Sequence, residues 1–160
     1  MSKSRVLALA LLSIAGAPGF AQLATAPDVD IRSPTAGEAA AAVDAFHAAL
    51  QRGDVKGALA ALSEDVVIFE GGRVERSKSE YASHHAPADA AYGSAVPSTL
   101  LKRTAFADGS IAWVVTESRA TGRYKDKPVN QLSTETMVLR KEDAGWRIIH
   151  IHWSSRAIQQ

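Results

Sequence analysis

Four of the five histidines in this sequence fall in two tight groups, His84-His85 and His150-x-His152. Imidazole nitrogen is a common ligand for Zn²⁺ and Cu²⁺, and His-x-His on a strand places both rings on one face. With Glu70 or Asp89 added, His84, His85, His150 and His152 would form a nitrogen-rich site suited to either metal. The competing chemistry is acid–base. Glu70 ends the run Val66-Val67-Ile68-Phe69 and shares a strand face with Val66 and Ile68. A carboxylate partly withdrawn from water there could act as a base toward a carbon acid, with His84 as the matching acid. Plainer roles stand beside both readings. An acid before Gly71-Gly72 is also an ordinary turn residue, and paired histidines also serve in cores and subunit interfaces.

Further side chains could meet a ligand. Tyr81 precedes His84 and His85 by three and four residues, on the same helical face. His47 adjoins an apolar helical face, four residues from Val43. Trp113, Trp146 and Trp153 could stack on a ligand or fill a core. Ser154 and Ser155 lack the surroundings of a nucleophile elbow, so no Ser-His-Asp triad is expected. The absence of Cys excludes a zinc ribbon, thiol catalysis and disulfides.

These groups must be positioned by one soluble domain: 160 residues, 46% hydrophobic and 22% charged, enough to bury roughly 70% of the unfolded surface. Met1–Ala21 reads as a secretion signal, with Lys3 and Arg5 before an apolar run and a small-x-small end at Gly19-Phe20-Ala21. Ser13, Gly16, Pro18 and Gly19 interrupt that run, which argues against a membrane span and for a secreted or periplasmic protein. Cleavage removes Lys3 and Arg5 and takes the formal net charge from +1 to −1. Neither nucleic-acid binding nor docking on an anionic membrane fits that balance.

Residues 22–34 read as a flexible leader, and residues 35–156 as one domain. Thr35-Ala36-Gly37-Glu38 has the form of a capping box, and Ala39, Val43, Phe46 and Leu50 then recur on one helical face. Gly53 suits a helix end and Asp54 the cap of a short second helix over Val55–Leu62. Val66–Glu70 reads as a strand. Ser77-Lys78-Ser79-Glu80 caps a third helix that Pro87 stops, followed by a featureless loop to Pro97. Four strand-like runs follow, Thr99–Ala107, Ile111–Tyr124, Val129–Lys141 and Trp146–Ser155, with turn signals between them. Helices before an antiparallel meander imply an α+β fold.

The stretch from Val43 to Gly57 with Leu62–Glu70 resembles the opening of the nuclear transport factor 2-like superfamily. Met137–Ser154 resembles the last hairpin of its SnoaL-like and calcium/calmodulin-dependent kinase II association-domain branches. The resemblance implies three N-terminal helices packed on a strongly curved, mixed but mainly antiparallel sheet, forming a cone with a pocket in its mouth and a homodimer through the sheet. Laid without gaps on ketosteroid isomerase, it puts the base aspartate at Glu70 and the oxyanion-hole tyrosine at Phe46. Phe46 cannot donate a hydrogen bond, so Tyr81, His47 or Glu135 would have to replace that donor. In the kinase domain the position of Trp153 looks into the pocket, which would turn His150 and His152 to the dimer side unless a bulge intervenes.

Three functional readings follow. The first is an exported domain binding a small organic molecule in an enclosed apolar pocket, with Phe46, His47, Tyr81, His85, Trp113 and Trp153 as contacts. In its enzymatic form, Glu70 is the base of a carbon-acid isomerase, dehydratase or cyclase, and no cofactor is needed. The second is a periplasmic zinc- or copper-binding protein using the paired histidines. The third is a non-catalytic dimeric assembly module.

Overall fold

The computed structural model describes residues 26–158, so the expected secretion signal lies outside the described residues. In chain order the elements are β1 (Asp28–Ile31), α1 (Pro34–Gln51), α2 (Val55–Ala60), β2 (Leu62–Glu70), β3 (Arg73–Glu75), α3 (Lys78–His84), α4 (Ala86–Ala95), β4 (Ser98–Asp108), β5 (Ile111–Tyr124), β6 (Lys127–Glu142) and β7 (Gly145–Ala157). The strands form one sheet in the order β1-β4-β5-β6-β7-β2-β3. The β1–β4 and β2–β7 pairs are parallel and the others antiparallel. This is the mixed, mainly antiparallel α+β arrangement expected.

Helix α1 begins two residues before the expected box. Ser33 Oγ accepts from the Ala36 N–H at 3.1 Å, and Pro34 opens the helix. Proline fits there because its φ is preset and no N–H is required of it. Glu38 is thereby released from capping and accepts from Lys141 Nζ and Trp146 Nε1 at 3.1 and 3.3 Å. The expected apolar face is core, with Ala39, Val43, Phe46 and Leu50 all buried. Gly53 takes φ +70°, and Asp54 caps α2 by accepting from the Gly57 N–H at 2.8 Å. That helix stops at Ala60 because Leu62 is already committed to β2, paired with Ile148.

Three expectations are corrected. The third helix is broken at His85, and the supposed loop to Pro97 contains the ten-residue α4. Pro87 sits in the first turn of α4, where it breaks no hydrogen bond, and the alanines that follow are strong helix formers. Ala86 and Ala90 are buried. Gly93 lies so close to α1 that an added Cβ would come 3.2 Å from the Leu50 carbonyl. The leader, in turn, contains β1, which adds an exposed parallel strand beside β4.

Strand β7 carries a bulge. Leu139 pairs with Ile148 and Val138 with His150, leaving Ile149 as the extra residue. Simple alternation would place Ile148 with His150 and His152; the bulge instead lets Ile148 and Ile151 both reach the core beside Met137 and Leu139. Trp153 packs against that core from the same side, and His150 and His152 point to the opposite face.

Ser33→Ala should cost about 1 kcal/mol in urea unfolding, whereas Thr35→Ala should stay within about 0.5 kcal/mol. The reverse order would place the helix start at Thr35.

Candidate functional site

Helices α1 and α4 stand off the inner face of the sheet and leave a cavity of about 710 Å³. Its wall includes His47 from α1, Asp89 from α4, Arg103 from β4, Glu135 from β6 and Trp153 from β7, with Glu70 at the end of β2. A second chamber of about 240 Å³ adjoins it, shares Glu70, Gly71 and Trp153, and is lined also by Glu75, Tyr81 and His85. The wall therefore carries more charge than the enclosed apolar pocket expected, and Asp44, Gln51 and Glu70 are exposed at its rim.

Glu135 is only 8% exposed. Its Oε2 accepts from Trp153 Nε1 at 2.7 Å and lies 2.7 Å from His47 Nε2, while Oε1 is buried without a partner among the described residues. Burial pushes its pKa upward, but the opposing pull of His47, Trp153 and Arg103 outweighs it and leaves the carboxyl below its usual range. An ionised Glu135 cannot donate, so His47 Nε2 carries the hydrogen and Nδ1 remains available for a ligand. Arg103 is buried beside it, with Nη1 on exposed Asp44 and Nε donating to Thr116 Oγ1 at 3.3 Å. No hydrogen bond from Nη2 is found among the described residues, which leaves a donor for an oxygen-bearing ligand.

Tyr81 OH donates to Asp89 Oδ2 at 2.9 Å. Burial raises the Asp89 pKa to about 6; the Tyr81 hydrogen bond and His85 oppose the rise, and the charges of Glu70 and Glu75 add to it. The Tyr81 phenol is pushed upward, first by burial and then by Asp89. Tyr81 accordingly stays a donor, and Asp89 is a carboxylate of unusual basicity with Oδ1 free of the Tyr81 bond.

A SnoaL-like domain family matches residues 39–158, three quarters of the chain. The chain belongs to the SnoaL-like domain family. A candidate ketosteroid isomerase from Shewanella frigidimarina is similar in structure, with 41% identity, a TM-score of 0.72, and coverage of 78% of this chain and 98% of that one. A candidate dehydratase of the nuclear transport factor 2-like family from Streptomyces avermitilis shares the fold at 19% identity, TM-score 0.65, over 78% and 96% of the two chains. The S. rosetta CaMKII hub does so at 20% identity, TM-score 0.62, over 78% and 98%. No curated protein matches the chain.

Within this SnoaL-like domain, His47, Glu70, Tyr81, His85 and Trp153 are brought around the two chambers. Phe46 is not part of the wall: it is fully buried and stacks on Trp153 at 6.2 Å between ring centres. Trp113 stands on the opposite face of the sheet, stacked on Phe106 at 5.8 Å, because strand parity sends Ala112 and Val114 inward instead. His84 and His85 both turn their Nδ1 to Glu75. His150 Nδ1 donates to the Val67 carbonyl at 2.8 Å on the outer face, with Phe69 edge-on to it; His152 follows on the same face and reaches the cavity rim where the neighbouring strand β2 ends. The sheet thus separates the two histidine pairs, and the four do not assemble into one metal site. Glu70 is exposed, and the desolvated carboxylate sought there is Asp89 instead. Arg103 was not anticipated and Glu135 only as a substitute donor. Their signal is parity, since each shares an inward-facing row with a buried apolar residue, Ala105 or Met137.

Because folding raises the Asp89 pKa from 3.8 to about 6, ionising this group costs stability; the cost is absent below about pH 4, grows to about pH 6 and is constant above, up to about 3 kcal/mol. Asp89→Asn keeps an acceptor for Tyr81 and should raise the melting temperature relative to wild type at pH 7.5 but not at pH 4. A difference independent of pH would mean that Asp89 is not desolvated.

Proposed function

We propose that this domain is exported and acts on a small organic molecule in the larger cavity, moving a proton at a carbon acid as an isomerase or dehydratase. The observation that carries the reading is Asp89, a half-buried carboxylate of raised basicity on one wall of a cavity whose other walls bring Arg103 and the His47–Glu135 pair. The 41% identity to a candidate ketosteroid isomerase supports the same reaction class.

Asp89 Oδ1 takes the proton from the carbon next to a carbonyl, and the C–H electron pair moves into the carbonyl to give an enolate. The Arg103 guanidinium supplies a donor and positive charge to the enolate oxygen, the task that the tyrosine position at Phe46 leaves unfilled. In isomerisation, Asp89 returns the proton to a different carbon. In dehydration, protonated His47 gives its Nδ1 proton to a departing hydroxyl, which leaves as water, while Glu135 holds Nε2–H and balances the imidazolium beforehand. Glu70, proposed from sequence as the base, instead stands where the chambers meet and raises the basicity of Asp89 by its charge.

Activity should be sought on a panel of enones, β-hydroxy carbonyl compounds, lactones and epoxides. The expected kcat/KM rises with pH through about 6, and Asp89→Asn lowers kcat by roughly 10²-fold or more and abolishes that rise. A rise lost in Glu70→Gln but kept in Asp89→Asn would return the base to Glu70. No turnover by wild type on any member of the panel would overturn the enzymatic reading. Export requires the mature chain to begin at Gln22, which intact mass of periplasmic protein measures.

The outer face of the sheet supports a homodimer. Val67, His150, Val138, Trp113 and Phe106 form one cross-strand row on it, with Phe69 and Trp113 about 40% exposed. Such a face is costly to leave in water and suits a second copy of itself. Light scattering should give twice the chain mass for wild type and the monomer mass for Trp113→Glu. A monomeric wild type at micromolar concentration would remove this assignment.

A further inference from the structure

The geometry points to a divalent-metal site, best matched to Zn²⁺, made by Glu75, Glu80 and His84 outside the catalytic cavity. One ligand atom from each of these side chains lies within 4.8 Å of the others. Glu75 Oε2 and His84 Nδ1 are 3.3 Å apart, close to the about 3.3 Å that separates ligands at 2.0–2.1 Å in a tetrahedral zinc site.

Two elements converge on this point for separate reasons. Glu80 and His84 are four residues apart on α3 and so share one helical face. Glu75 comes from β3, whose pairing with β2 sets it opposite Ile68 and turns it inward. Both carboxylate donors also have the supporting contact that an ordered ligand needs. Glu75 Oε1 is held by His85 Nδ1, leaving Oε2 for the metal; Glu80 Oε2 accepts from the Arg76 N–H at 2.6 Å, leaving Oε1. His84 is 58% exposed, so the fourth position opens to water.

Charge supplies an independent argument. The Glu75 side chain is 7% exposed, and its ion-pair partners among the described residues are two imidazoles, with no Lys or Arg. Arg73 lies in the same surface depression but does not pair with it. Buried carboxylates are ordinarily paired with a fixed cation or bound to a metal. A divalent ion here would neutralise Glu75 and Glu80 together and pin the end of α3 to β3, a three-residue edge strand. This site uses His84 alone of the four histidines read from sequence as a metal set, with carboxylates in place of the others.

The test is calorimetric titration of chelator-treated mature protein with ZnCl₂, together with thermal melts and X-ray absorption of the zinc-loaded wild type. One equivalent should bind and raise the melting temperature. Affinity should fall at least tenfold in His84→Ala and in Glu80→Gln, two accessible positions where circular dichroism can verify folding. His150→Ala/His152→Ala should bind as wild type, and the absorption spectrum should show oxygen with one imidazole nitrogen. No binding at about 1 mM zinc, affinity undiminished in both single variants, or a zinc shell without imidazole would each overturn the assignment.

Discussion

The Glu135 carboxylate is the interaction on which the site depends. It sits on β6, but its Oε2 is shared by a ring from α1 and an indole from β7. A charge buried this deeply is tolerated only because those two donors and the nearby Arg103 replace the water it has lost. Removing any one of them would leave the charge undercompensated, so the spacing between α1 and the sheet is fixed by electrostatics as well as by packing. Phe46 packs on Trp153 directly beneath, and the polar clasp therefore rests on the apolar core.

That dependence explains how the same fold can separate two carboxylates into different roles. Glu135 is surrounded by donors and a cation and is held ionised. Asp89 has one neutral donor, sits among other acids and is held at higher basicity. Divergent environments for like groups are what acid–base chemistry near neutrality requires. The smaller chamber shapes this difference, since Tyr81, Glu75 and His85 line it and all act on Asp89.

Much of the scaffold was legible because its signals are local. The apolar spacing of Ala39, Val43, Phe46 and Leu50, the Gly53-Asp54 corner and the turn residues between strands each act over a few positions. The misread segments were those where a second signal competed. Pro87 looks like a stop until its place in a first helical turn is known, and Thr35 looks like a cap until Ser33-Pro34 outcompetes it. The site was less legible because it depends on distant pairs: His47 with Glu135 and Arg103 with Asp44 are joined across 88 and 59 residues. Glu70 and Trp153 could be placed from strand order, whereas the desolvation of Asp89 follows from a helix that the sequence reading did not contain.

Ile149 has a wider consequence. An alternating strand is a two-sided printed tape, on which every change of length moves all later characters to the wrong side. The extra residue acts as a phase shifter between two passages of β7: Trp146 and Ile148 are written for the core before it, Ile151 and Trp153 after it. Each passage can then drift in sequence without forcing the other out of step. Losing that single residue would transpose the histidine-bearing side and the tryptophan-bearing side at once, exchanging what the molecule shows to its interior for what it shows to the world outside.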